Sequence, residues 1–101
     1  MRVLSRDRLL GELAAMRPEF ERDGVSHVAL FGSRARQDNR TDSDIDLMLD
    51  LVPDDHLSLL DIIGIGHRVE DRFGVPAQLV LRRSASPEFL SRIKADQVVI
   101  F

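Results

Sequence analysis

Two short stretches of this chain carry residue types that could do chemistry together. Gly32-Ser33 is a turn sequence, and Asp44-Ile45-Asp46 sets two carboxylates two positions apart, with ten residues between Ser33 and Asp44. Glycine lets the backbone turn sharply and lets a ligand approach where a Cβ would otherwise stand. Ser33, at the start of a helical turn, adds a hydroxyl to unpaired N–H groups that suit phosphate. Asp44 and Asp46, on a strand, point the same way. Paired carboxylates form a hard oxygen site for Mg²⁺, which keeps one or two carboxylates and takes further ligands from substrate phosphates. The combination predicts a nucleoside triphosphate held between Gly32-Ser33 and a metal at Asp44 and Asp46. Arg34 and Arg36 follow the turn and could clamp the triphosphate or the leaving pyrophosphate; Arg40 is a similar, weaker case. Each part alone is commonplace, as a plain turn or as solvated surface. At average composition the full G-S-x10-D-x-D pattern is expected by chance in about one 100-residue chain in a thousand.

The flanking pattern predicts elements that would position these residues. Ser5 caps a helix in which Leu9, Leu10, Leu13, Met16 and Phe20 recur at helical spacing. Pro18 kinks or restarts it near Arg17, and Gly24 stops it. Val25 to Phe31 is an apolar run that reads as a buried strand, and Ser33 to Gln37 as a short helix. Asp44 to Leu51 alternates strictly: Ile45, Leu47 and Leu49 on one face, Asp44, Asp46, Met48 and Asp50 on the other. A third helix follows from Leu57 to Phe73, with Leu59, Ile62, Ile63, Val69 and Phe73 as its apolar stripe and Gly74 closing it. Ala77 to Arg82 reads as a third strand, in which Gln78 is a lone polar residue. Ser86-Pro87-Glu88 opens a last helix with Phe89, Leu90 and Ile93 inward, and the final VVIF reads as a short strand. The expectation is an α/β (α+β) fold: one domain over 1–101, with a small mixed β-sheet flanked by helices.

Composition bounds the rest. The 101 residues are 44% hydrophobic and 31% charged, which fits one packed domain and excludes a wholly disordered chain. A net charge of −3 argues against free-standing nucleic-acid binding. With no cysteine, disulfides and thiolate metal sites are excluded. No apolar run is long enough for a membrane span, and the charged N-terminal stretch does not read as a signal peptide, so a cytoplasmic location is expected. His27, His56 and His67 show no metal-ligand spacing and read as structural or surface residues. Arg68, Glu70, Asp71 and Arg72 read as a charged helix face held by pairs along the helix.

FGSRAR…SDIDLML resembles the signature of the DNA polymerase β-type nucleotidyltransferases, and in particular their minimal nucleotidyltransferase (MNT) members. The resemblance covers nearly the whole chain through the order of its elements. It implies a polymerase β-like fold, Mg²⁺, ATP as substrate, and catalytic roles for Asp44 and Asp46. Many members act as antitoxins beside a HEPN-domain toxin, and active ones transfer AMP from ATP to a tyrosine of that toxin. The resemblance therefore implies a HEPN partner. The oligomeric state stays open.

One departure bears on activity. The family places a third acid on the strand after the third helix, in a V-D-L-V-like stretch, whereas this chain has Ala77-Gln78-Leu79-Val80. Gln78 thus takes a catalytic position with an amide that can ligate a metal weakly and cannot take a proton. Asp42, Asp50 and Asp61 are substitutes to weigh, Asp42 first by its parity with Asp44 and Asp46. The alternative reading is an impaired MNT-fold protein that neutralises its partner by binding alone. A third reading, a small-molecule nucleotidyltransferase of the aminoglycoside-modifying sort, ranks lower because such enzymes usually carry a second domain.

Overall fold

The computed structural model describes residues 4–53 and 57–101; His56 lies outside them. Two short helices, α1 (Arg6–Ala15) and α2 (Arg17–Arg22), lead into strand β1 (Val25–Phe31). Helix α3 (Gly32–Arg36) and a polar loop return the chain to β2 (Ile45–Leu51). Then come α4 (Leu59–Phe73), β3 (Ala77–Leu81), a single 3-10 turn (Arg82–Ser84), α5 (Pro87–Ile93) and β4 (Val98–Val99). The sheet order is β3-β2-β1-β4. β1 runs antiparallel to β2 and β4, and β2 runs parallel to β3. The expected mixed sheet flanked by helices is the observed architecture.

Local chemistry explains the boundaries. Ser5 Oγ accepts from the N–H of Arg8 at 3.2 Å, and Ser86 Oγ from the N–H of Phe89 at 3.1 Å, so both helix starts are capped by the expected serines. Pro18 falls in the first turn of α2, where its missing N–H costs nothing, so it restarts the helix rather than bending it. Ser58 and Asp61 form a capping box on α4, which therefore begins at Leu59 and not at Leu57. Arg82 leaves the strand and opens the 3-10 turn, so β3 ends one residue early. The C-terminal VVIF pairs as expected: beyond β4, the N–H groups of Ile100 and Phe101 both donate to the Val28 carbonyl.

Two apolar layers hold the sheet. On one face Leu9, Leu13, Met16 and Phe20 of the leading helices meet Val28, Leu30, Ile45, Leu47 and Leu49, joined by Ile65 and Val69 of α4. On the other, Ala29, Phe31 and Met48 lie under Ile93 of α5, with Val80, Phe89 and Leu90 packed alongside. Burying one such leucine or isoleucine contributes roughly 1.5–3 kcal/mol, so the alternation of β2 is fixed by its inward residues. A one-residue slip would turn all of them out and the aspartates in.

The stripe expected on α4 holds in its second half, where Val69 is buried and Phe73 packs against the core, and fails in its first, where Leu59 and Ile63 are 75% and 44% exposed; Ile65 and Gly66 are the further buried residues. Leu59 and Ile63 stand at a groove shared with Ala77 and Leu79 of the edge strand β3. The charged residues of α4 also act across the fold rather than along the helix. Arg68 pairs with Asp23, Arg72 Nε stands 3.8 Å from Glu12, and Glu70 accepts the N–H of Ala77 at 2.9 Å. No helix among the described residues is long and apolar enough to cross a membrane.

Candidate active site

The turn between β1 and α3 and the start of β2 are neighbours because Phe31 and Asp46 are register partners in the antiparallel pair. Gly32 has φ +77°, a left-handed conformation that side chains rarely adopt. A Cβ built on Gly32 would lie 2.2 Å from Asp46 Oδ2. The glycine is therefore needed twice, for the turn and for the space the carboxylate fills. Ser33 is the second residue of α3 and does not cap it; the N-cap position is Phe31, with no side-chain cap bond.

Asp44 sits one residue ahead of β2, exposed, and Asp46 is half-buried inside the strand. Burial raises the pKa of Asp46 above the ordinary carboxylate range, and the negative charge of Asp44 raises it further, against smaller lowering effects of Arg36 and Arg34. Among the described residues no donor hydrogen-bonds the Asp46 carboxylate. A half-buried, unsatisfied carboxylate repelled by a second is suited to a cation, so the residues present fit Mg²⁺. Among the described residues no group of three or more His, Asp or Glu could hold a metal by itself, so further ligands would have to come from bound phosphates and water.

Asp46→Asn should raise the melting temperature at pH 7, because it removes a charge disfavoured first by burial and then by Asp44. The folded protein binds the Asp46 proton more tightly than the unfolded chain does, so ionisation opposes folding. The penalty is absent below the unfolded pKa, near about 4, and complete above the folded one. The gain should therefore vanish in melts taken at increasingly acid pH; a gain independent of pH would assign it to packing.

β3 brings Gln78 to this place. The parallel register pairs Asp46 with Gln78, and Gln78 is exposed. Its side chain shares a face with Asp46 and Met48, opposite Ala77 and Leu79. The substitutes for a third acid are otherwise engaged or remote. Asp50 takes Arg82 Nε at 3.0 Å, Asp61 caps α4, and Asp42 lies exposed in the loop.

The arginines divide. Arg34 is buried, and it donates from Nε to the Ser43 carbonyl at 2.9 Å and from Nη2 to the Thr41 carbonyl at 3.1 Å. It thereby pins the loop that delivers Asp44. Arg36 is exposed beside the turn, held by Asp38 at 3.0 Å and Asp96 at 3.5 Å. Arg40 is exposed in the loop, and His27, the register partner of Asp50, and His67 are exposed as well. Two contributors escaped the sequence reading. Arg6 of α1 donates to the Ala35 carbonyl at 3.1 Å and ties α3 down, and Arg82 neutralises Asp50 on the carboxylate face. Both act over about thirty residues of sequence, and no local pattern announces them.

The left-handed turn at Gly32 thus lies against the Asp46 carboxylate, with Asp44 just ahead of the same strand. The model of the Polymerase beta, Nucleotidyltransferase family matches residues 17–101, and the chain belongs to that family. The protein adenylyltransferase MntA of Thermococcus cleftensis is 32% identical over 101 residues, which are 99% of this chain and 100% of that protein. A solved minimal nucleotidyltransferase superposes with a TM-score of 0.77 at 26% identity, covering 93% of this chain and 94% of that one. The complex of the tri-AMPylated Shewanella oneidensis HEPN toxin with MNT antitoxin contains a chain of the same fold. It has a TM-score of 0.70 at 16% identity and covers 95% of this chain and 71% of that one.

Proposed function

We propose that this chain is a Mg²⁺-dependent nucleotidyltransferase-fold antitoxin that transfers AMP from ATP to a tyrosine of a HEPN-domain toxin. The observation that carries the reading is the contact between Gly32 and Asp46, which joins the phosphate turn to the carboxylate pair. The N–H of Gly32 and the Ser33 hydroxyl hold the β- and γ-phosphates, and Arg36, exposed beside the turn, lends its charge to the leaving group. Asp44 and Asp46 hold Mg²⁺, which when bound supplies positive charge to the triphosphate. The tyrosine Oη attacks the α-phosphorus; a new O–P bond forms, the bond to the β-phosphate oxygen breaks, and pyrophosphate leaves. Gln78 cannot take the phenolic proton, which passes to water. Substrate ATP and the HEPN partner are carried over from the relatives, whose names are those of protein adenylyltransferases and of antitoxins in toxin complexes.

Calorimetric titration of ATP tests the site. Affinity should fall at least about tenfold when EDTA replaces Mg²⁺, and equally in Asp44→Asn/Asp46→Asn, since contacts to charged groups are worth about 1.5–3 kcal/mol each. Unchanged affinity in both would remove the metal site. The double variant should stay folded, because neither carboxylate is in the apolar layers. Ser33→Ala should weaken ATP by a similar amount and AMP much less; equal losses would move the serine away from the β- and γ-phosphates.

Gln78 favours a second reading. With an exposed amide beside Asp46 and no third acid on β3, the chain would bind nucleotide and neutralise its toxin by occlusion. Labelled ATP with the purified toxin separates the two: modified toxin supports transfer, and inhibition of the toxin without label supports occlusion.

A further inference from the structure

β3 is an edge strand whose outer side is open. The Pro76 carbonyl accepts the N–H of Ile45, so in the parallel ladder Gln78 and Val80 turn their backbone groups to β2. Ala77, Leu79 and Leu81 turn theirs outward. Glu70 takes the outward N–H of Ala77. Among the described residues nothing pairs with the outward N–H groups of Leu79 and Leu81, while the Leu81 carbonyl leads into the 3-10 turn. Residues 77–81 carry no charge, no proline and no bulge, so the edge lacks the usual guards against an incoming strand.

The two faces of this edge differ. Toward α4 lies a groove of about 290 Å³, whose apolar residues Leu59, Ile62, Ile63, Gly66, Ala77 and Leu79 are joined by the polar His67 and Glu70. Toward the opposite face Gln78 stands beside Asp46. Groove and carboxylate site thus alternate along one five-residue strand. Past the end of β3, Arg83 is exposed and makes no ion pair among the described residues, while Glu70 stands at the beginning. The edge therefore has a positive and a negative end.

We propose that the protein substrate presents its acceptor as an extended segment that adds to the open edge of β3, with its tyrosine over Gln78 and its neighbouring apolar residues in the α4–β3 groove. The proposal rests on the transfer reading above and names how the acceptor of that site is held. Strand addition uses main-chain bonds for affinity and alternate side chains for specificity. The added strand would lie two strand spacings from β2, ~9–10 Å. A phenol folded back over Gln78 covers the greater part of that gap, toward phosphate bound at Asp46, whereas the hydroxyl of a serine stays on its own strand. Arg83 calls for an acidic residue at its end of the segment.

The probe is a library of seven-residue peptides with a fixed central tyrosine, captured on the immobilised chain with Mg²⁺ and a non-hydrolysable ATP analogue. Captured peptides should carry apolar residues at one and three positions from the tyrosine and an acid at one end. Apolar enrichment at two positions from the tyrosine, or none, overturns the proposal. Leu59→Asp should lower capture at least about tenfold by placing a charge in the groove; the residue is 75% exposed and opens a helix where an acid is favourable, so the fold is kept. Hydrogen exchange gives the direct reading. A bound peptide should slow the amides of Leu79 and Leu81 at least about tenfold and leave Gln78 and Val80 as they were; capture without that alternation overturns strand addition. With labelled ATP in place of the analogue, capture and alternation without transfer keep the docking and remove the transfer reading, and transfer without protection does the reverse.

Discussion

Gln78→Asp is expected to raise AMP transfer to the partner by about 10²–10⁴, the range general-base help usually supplies, or to create transfer where the native chain shows none. Gln78 is the register partner of Asp46 across the parallel β2–β3 pair and its side chain is exposed. A carboxylate there meets water and the metal site, not the apolar layer. The fold should accept it, with little change in melting temperature. Aspartate is one methylene shorter than glutamine, so Gln78→Glu is the control for reach, and the better of the two variants reports the depth of the acceptor oxygen. A third carboxylate also adds charge to the metal site, so Mg²⁺ should bind more tightly in the variant whether or not transfer appears. Tighter Mg²⁺ without transfer in either variant would mean that the base is not what the chain lacks, and would favour occlusion. No change in Mg²⁺ affinity or in transfer would remove Gln78 from the site.

The part of this site written along one stretch of chain was legible in the sequence. Gly32, Ser33, Asp44 and Asp46 lie within fifteen residues, and strand parity alone puts both aspartates on one side. The burial of Ile45, Leu47 and Leu49 enforces that parity. Gln78 was legible because an apolar strand leaves one polar residue in view, although its pairing with Asp46 depends on a register that only the packed sheet fixes. What was hidden are contacts whose acceptor is backbone or whose partner is distant. Arg34 reads as a free cation after a phosphate turn, yet its guanidinium is buried on the carbonyls of Thr41 and Ser43. A carbonyl acceptor leaves no trace in residue types. Asp61 reads as a spare acid and is the return arm of a capping box. The stripe of α4 held at Val69 and Phe73 and failed at Leu59 and Ile63, which are apolar yet exposed, because periodicity alone cannot tell a buried face from an exposed apolar one.

Gly32→Ala should cost the fold about 1–2 kcal/mol from the left-handed backbone alone and more from the collision, since its Cβ would stand 2.2 Å from Asp46 Oδ2 and 3.1 Å from Asp46 Cγ. Either the turn opens or the carboxylate swings away, and both separate the phosphate turn from the metal ligand. Nucleotide affinity should therefore fall at least about tenfold, the worth of one lost charged contact. Gly74→Ala is the matched control. Gly74 has φ +73°, nearly that of Gly32, and nothing lies within 4 Å of its added Cβ. It bears the backbone cost without the collision and should leave ATP binding intact. Adding Asp46→Ala to Gly32→Ala should recover the collision part of the lost stability, because the obstructing carboxylate is gone, and should not recover binding. A double-mutant cycle on melts and ATP titrations reads that coupling. Additive stabilities would mean that the two residues do not touch in solution, and the contact on which the proposed function stands would fall with them.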